Sequence, residues 1–242
     1  MTTISTNLQA NLRTVEGRIE AACRAAGRPS DSVQLLVVSK TWPAESVRGV
    51  AACGQRAFGE NYVQEAVDKI AELADLRQGA NTLEWHFIGP LQSNKTRPVA
   101  EHFDWVHSID RLKIAQRLSE QRPESLPLLQ VCLQVNVSGE ASKSGCAPDE
   151  VPALARAIAA LPRLTLRGLM AIPEPTEDLA LLHSRFALLR HLQQQLNQQG
   201  LALDTLSMGM SHDLETAIAE GATLVRVGTA IFGERHYPKE TP

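Results

Sequence analysis

Residues 35–60 read LLVVSKTWPAESVRGVAACGQRAFGE, and the fold is decided on this stretch. Leu35–Ser39 is a short apolar run rich in β-formers, as expected of a strand buried on both faces. Ala44–Cys53 then has a helical pattern, and Ala57–Glu60 is a second short strand candidate. Antiparallel strands can be joined by a two-residue turn, whereas parallel strands need a crossover long enough to hold a helix. This stretch therefore predicts two parallel strands joined by a helix.

The unit recurs down the chain. Further strand candidates are Trp85–Gly89, Trp105–Ile109, Leu128–Val137, Thr165–Ala171, Thr205–Met208 and Leu224–Val227. Between them lie helical stretches at Val63–Leu73, Lys95–His102, Arg111–Gln121, Pro148–Leu161, Asp178–Gln199 and His212–Glu220. Eight strands with helices between them predict a single (β/α)8 TIM-type barrel of class α/β. An open doubly wound sheet is the alternative, and the lack of GxGxxG after the first strand weakens a dinucleotide site. Upstream, Ile4, Leu8, Leu12, Val15 and Ile19 recur at helical spacing. They predict an additional N-terminal helix, stopped near Gly27, Arg28 and Pro29. No Ser/Gly/Pro-rich linker divides the 242 residues, so residues 1–242 read as one domain.

Composition narrows the function. With 43% hydrophobic and 21% charged residues the chain has a soluble globular balance. A formal net charge of −3 supplies no basic field for nucleic acid or anionic lipid. No apolar run approaches the ~20 residues of a bilayer span, and the N-terminus does not read as a signal peptide. Cys23, Cys53, Cys132 and Cys146 show no CxxC or Cys/His spacing, as expected of reduced thiols in the cytoplasm. The histidines show no HExxH or other metal spacing, and no metal is expected.

In barrels of this kind the chemistry sits at the C-terminal ends of the strands, often with a phosphate site after strands seven and eight. Lys40 follows the first strand. It either snorkels to solvent or points into the barrel mouth, where a neutral amine can attack an aldehyde. After strand seven comes Ser207-Met208-Gly209-Met210-Ser211-His212-Asp213, with Ser211 as helix N-cap candidate and Asp213 in the first turn. Strand eight runs through Arg226 into Gly228-Thr229. Glycine allows close backbone approach to a ligand, and the threonine adds a hydroxyl. Each loop alone is an ordinary turn; two at the expected strand ends point to a monophosphate site. Arg226, in an apolar stretch, needs a partner. A carboxylate on another strand or a ligand would serve. Asn61 is either a turn cap or a ligand contact, Tyr62 reads as packing, and His86 as a satisfied core histidine. Leu181, Phe186, Leu189 and Leu192 read as one core-facing helix stripe.

Taken together, the segments 36–41 (LVVSKT), 58–65 (FGENYVQE), 85–95 (WHFIGPLQSNK), 168–172 (GLMAI), 207–211 (SMGMS) and 225–233 (VRVGTAIFG) resemble the pyridoxal phosphate homeostasis protein family over nearly the whole chain. The resemblance implies a fold similar to the alanine racemase barrel domain, without the additional β domain. It implies pyridoxal 5′-phosphate bound covalently through Lys40, with Arg226 facing the pyridine nitrogen and Asn61 beside the ring. Ser207, Ser211, Gly228 and Thr229 would cradle the phosphate. Trp42 and His212 depart from residues common at those positions in relatives.

Three functions compete: a carrier in cofactor homeostasis, a racemase-like enzyme, and a Schiff-base aldolase. Racemisation needs a second acid/base group on the far face of the substrate, and neither Tyr62 nor Tyr237 has a clear claim to that role. An arginine opposite the ring nitrogen also weakens the electron sink. The expectation is a monomeric, non-catalytic carrier, with apo forms of pyridoxal phosphate-dependent enzymes as candidate recipients.

Overall fold

The computed structural model describes residues 2–77, 79, 82–139 and 144–233. Its sheet is a closed barrel of eight parallel strands in chain order. These are β1 (Gln34–Val38), β2 (Ala57–Glu60), β3 (Glu84–Phe87), β4 (Trp105–Ile109), β5 (Leu129–Gln134), β6 (Leu164–Met170), β7 (Thr205–Ser207) and β8 (Leu224–Val227). β1 pairs with β8 through four successive residues, from Gln34 opposite Leu224 to Val37 opposite Val227, which excludes an open sheet.

The helices are α1 (Thr2–Ala25), α2 (Ala44–Ala52), α3 (Val63–Glu72), α4 (Thr96–His102), α5 (Leu112–Gln121), α6 (Val151–Ala159), α7 (Leu179–Gln198), α8 (Leu214–Ala219) and α9 (Thr229–Phe232). α1 precedes the first strand and buries Leu8, Leu12, Val15 and Ile19. It ends where expected: Gly27 is left-handed (φ 65°), and the Arg28 N–H reaches back to the Cys23 carbonyl. Asn11 Nδ2 donates to the Ile231 carbonyl at 2.9 Å, and Arg18 binds Glu215 and the Ser211 carbonyl. The helix thus holds the connections that follow β7 and β8.

Side chains alternate along each strand. Val37, Phe58, Phe87, Val106, Leu133, Leu169 and Val225 join the large core between barrel and helices. Leu36, Ala57, Ile88 and Leu224 form a separate cluster inside, as do Trp105, Cys132 and Met170. No helix among the described residues is long and apolar enough to cross a membrane.

The predicted elements are displaced at their ends, each for a local reason. The fifth strand stops at Gln134 rather than Val137 because a return segment takes over its edge: Cys146 N–H bonds the Gln134 carbonyl and Asn136 N–H the Cys146 carbonyl. α7 begins at Leu179 because Asp178 is its N-cap, accepting from the Leu181 N–H. α8 begins at Leu214 and its N-cap is Asp213, not Ser211. The Asp213 carboxylate accepts the Met210 N–H at 2.5 Å, so the cap closes the preceding loop instead of the helix. That leaves Ser211 in the loop.

Gly168 shows how close two strands approach. A Cβ there would lie 1.7 Å from the Thr205 carbonyl oxygen on β7. Gly168→Ala is therefore expected to cost about 1–3 kcal/mol, the usual range for overpacking a filled core. A urea midpoint unchanged from the parent chain would contradict this.

Candidate functional site

At the C-terminal end of the barrel, the segments following β1, β7 and β8 enclose a cleft of about 230 Å³. Its lining includes Lys40, Trp42, Ser211, His212, Arg226, Gly228 and Thr229. Sites for drug-sized ligands usually measure 300–1,000 Å³, so this cleft suits a small molecule.

Lys40 lies two residues beyond β1, in a turn with a strained backbone. Thr41 has φ 66°, which β-branched residues rarely adopt, and it is the one non-glycine residue with positive φ among those described. A buried ionic group holds the turn. Thr41 N–H donates to Glu65 Oε1 at 2.6 Å. Lys69, only 4% exposed, donates to that same oxygen at 3.0 Å, to Glu60 Oε1 at 2.6 Å and to the Ser39 carbonyl at 2.9 Å. Ser39 Oγ donates to Glu60 Oε1 at 2.6 Å. Lys69 thus uses all three of its N–H bonds, one of them on the Ser39 carbonyl beside Lys40 and another on the Glu65 carboxylate that accepts the Thr41 N–H.

Arg226, buried at the end of β8, donates through Nη1 to Ser207 Oγ at 2.6 Å and through Nη2 to the Ala171 carbonyl at 2.9 Å. Among the described residues no carboxylate lies within ion-pair distance of it, so the salt-bridge reading does not hold. Burial pushes the guanidinium down to about 10, still a cation at neutral pH. One buried cation therefore reaches the cleft held only by neutral acceptors.

Ser211 sits in the loop after β7, and Gly228-Thr229 in the turn that starts α9. Gly209, two residues before Ser211, has φ 95° and packs so tightly that a Cβ would meet the Ala217 side chain at 2.6 Å. Gly228 is required by the barrel itself: a Cβ would meet the Val38 carbonyl oxygen at 2.9 Å. Trp42 closes the cleft on one side and stacks on Phe232, with ring centroids 5.2 Å apart.

Of the seven residues expected from the sequence, the cleft brings together Lys40, Ser211, Arg226, Gly228 and Thr229. Ser207 lies beneath it, fully buried, its hydroxyl shared between Arg226 and His107 Nδ1 at 2.7 Å. Asn61 follows β2 outside the lining, and its Oδ1 is buried without a hydrogen-bond partner among the described residues. Tyr62 is 53% exposed and lines no part of the cleft, while Tyr237 lies outside the described residues. Sequence reasoning missed Glu60, Glu65, Lys69 and His107. Lys69 carried a signal, because it shares the buried face of α3 with Ala66 and Ile70. His107 carried none, since a histidine in an apolar strand can face either side.

The donor set suits pyridoxal 5′-phosphate: an amine for an aldehyde, a fixed guanidinium for an acceptor ring nitrogen, and two hydroxyls beside backbone N–H groups for a phosphate.

A closed barrel of eight parallel strands is the fold this chain shares with the alanine racemases, and the profile of the family described as alanine racemase, N-terminal domain, matches residues 7–236. Within that class, the chain belongs to the pyridoxal phosphate homeostasis protein family. It is 66% identical to the pyridoxal phosphate homeostasis protein of Pseudomonas aeruginosa over 94% of this chain and 95% of that one. It is 53% identical to the protein of that name in Escherichia coli K12, over 95% and 97%. The structure of PipY from Synechococcus elongatus with PLP bound superposes with TM-score 0.79 at 41% identity, covering 93% of this chain and all of that one. Alanine racemase from Corynebacterium glutamicum, at 17% identity and TM-score 0.67, shares the fold over 98% of this chain and 63% of its own.

Proposed function

We propose that this chain binds pyridoxal 5′-phosphate in the Lys40 cleft and serves its homeostasis by holding, buffering and delivering the cofactor without turnover of its own. The observation that carries this reading is the convergence of Lys40, Arg226, Ser211 and Thr229 on one small cleft. The relatives' names and the PLP-bound PipY structure support it.

Lys40 would hold the cofactor: its Nζ, in the neutral form, would supply the nucleophilic amine for the aldehyde, with the aldehyde oxygen lost as water. Ser211 and Thr229 offer hydroxyls, and the turn at Gly228 offers backbone N–H groups, to the phosphate. Arg226, supported from below by Ser207, would hold the pyridine nitrogen, and Asn61 would contribute its unpartnered Oδ1 to the cofactor. When bound, the cofactor supplies an electrophilic aldehyde and an electron-accepting ring, which a neighbouring arginine leaves weaker than a pyridinium.

Two features favour a carrier over a racemase. No tyrosine among the described residues lines the cleft to serve a second face, and Arg226 would meet the ring as a cation. Reversible imine formation at a barrel mouth suits release to apo-enzymes.

The purified protein is expected to absorb visible light, to lose that band on borohydride reduction, and to gain one pyridoxyl phosphate by intact mass. A colourless protein that forms no adduct with added cofactor would exclude the site. Solvent deuterium exchange at the α-carbon of alanine is expected to be negligible. Exchange at ordinary enzyme rates, about 1–10³ s⁻¹, would exclude the carrier assignment and restore the racemase.

A further inference from the structure

A chain of polar side chains crosses the barrel interior beneath the cleft. Arg226 Nη1 lies 2.6 Å from Ser207 Oγ, Ser207 Oγ 2.7 Å from His107 Nδ1, and His107 Nε2 2.9 Å from His86 Nδ1. His86 Nε2 is 3.2 Å from Glu84 Oε1, close but not aligned as a hydrogen bond. Ser207, His107 and His86 have no exposed surface. β4 and β7 are not neighbours in the barrel, so the His107–Ser207 contact spans the lumen.

Elementary donor and acceptor rules give this chain one direction. Arginine only donates, so Ser207 Oγ accepts from it. The single Ser207 proton then goes to His107 Nδ1, which must be unprotonated. A neutral His107 carries its proton on Nε2 and donates it to His86 Nδ1. His86 in turn carries its proton on Nε2, toward the Glu84 carboxylate. The reverse direction would turn the His86 Nε2 lone pair toward that carboxylate and leave the Ser207 proton without an acceptor. Burial, with His86 and Arg226 nearby, pushes His107 well below the usual histidine range, so a charged link is disfavoured.

We propose that His107, backed by His86, is a positioning residue for Arg226: by taking the Ser207 proton it leaves only lone pairs facing the guanidinium, which is thereby fixed in the cleft without a carboxylate partner. Asp213 lies near enough to favour the charged guanidinium but is not bonded to it, so the relay and not a carboxylate sets its orientation. The consequence for a bound ring nitrogen rests on the pyridoxal phosphate reading above, whereas the relay itself does not.

The test has two arms on the full-length chain. In the first, ¹⁵N-histidine NMR of the cofactor-free wild type is expected to show His107 and His86 each carrying a proton on Nε2 alone, with Nδ1 left to accept. An Nδ1–H tautomer or an imidazolium at either residue overturns the relay, whatever the cleft binds. In the second, His107→Asn retains an acceptor near the Nδ1 position and His107→Leu removes it. With added pyridoxal 5′-phosphate, the asparagine variant is expected to keep the wild-type pH midpoint of the visible band, and the leucine variant to move it by about one pH unit. A leucine variant titrating as wild type overturns the positioning role while the cofactor reading stands. A wild type with no visible band defeats the cofactor reading, and the NMR arm still decides the relay. If the leucine variant does not fold, the tautomers and the asparagine variant decide it.

Discussion

Lys40→Ala is expected to abolish the borohydride-stable adduct altogether, from one pyridoxyl group per chain to none, and with it the visible band. The expectation follows from where the amines lie. Lys40 lines the cleft together with the arginine and hydroxyls that suit the ring and phosphate. Lys69, the other lysine near this end of β1, is buried and spends its three protons on Ser39, Glu60 and Glu65. It has no lone pair to offer an aldehyde. The cleft keeps Ser211, Arg226 and Thr229 in the variant, so reversible, non-covalent binding of pyridoxal 5′-phosphate should persist at reduced affinity. Peptide mapping of the reduced protein is the measurement. A pyridoxyl group on Lys69, or an undiminished adduct in the variant, would transfer the covalent role elsewhere.

Lys69→Met should be the most destabilising single change near the site, by about 3–5 kcal/mol, because it leaves the Glu60 carboxylate buried without its cation. Glu60 is fully buried, and its Oε2 has no partner even in the parent chain. Burial already pushes its carboxyl above the ordinary range, with Lys69 opposing the shift. Without the ammonium that opposition disappears, and folding should favour the protonated acid. A carboxyl whose folded pKa exceeds its unfolded value binds protons more tightly when folded, so stability falls as pH rises between the two values. The loss should therefore read larger at pH 8 than at pH 5 in urea titrations. Removing both charges with Lys69→Met and Glu60→Gln together should recover part of it. A single-variant loss below about 1 kcal/mol, or one independent of pH, would mean the ionic group is not what holds the Thr41 turn.

Much of the barrel was legible because strand–helix alternation is a long-range pattern that survives errors of a few residues. All eight strands were placed in the right order, and only their ends moved. Those ends depend on contacts from elsewhere in the chain: Cys146 stops β5, and Asp213 turns back on Met210 instead of capping α8. The lysine, the arginine and the last two loops of the cleft could be named because strand ends in such barrels are privileged positions. What supports them could not. Glu60 and Lys69 are nine residues apart and meet in a bond that no local pattern requires. His107 and Ser207 are a hundred residues apart and meet across the lumen. Gly228 reads from the sequence as a point of close approach to a ligand, whereas the close neighbour in the structure is the backbone of Val38.

The grip of α1 on the last loops also sets an order of events during synthesis. Asn11 and Ile231 are 220 positions apart, and Arg18 and Ser211 are 193 apart. At about 5–20 residues per second a ribosome takes roughly 10–40 s to produce a separation of that size. For that interval the first helix and the Lys40 turn exist without the arginine and the two loops that complete the cleft. Closure is a late, non-local event of the kind that slows folding. The nascent chain thus has its amine long before it can discriminate among aldehydes.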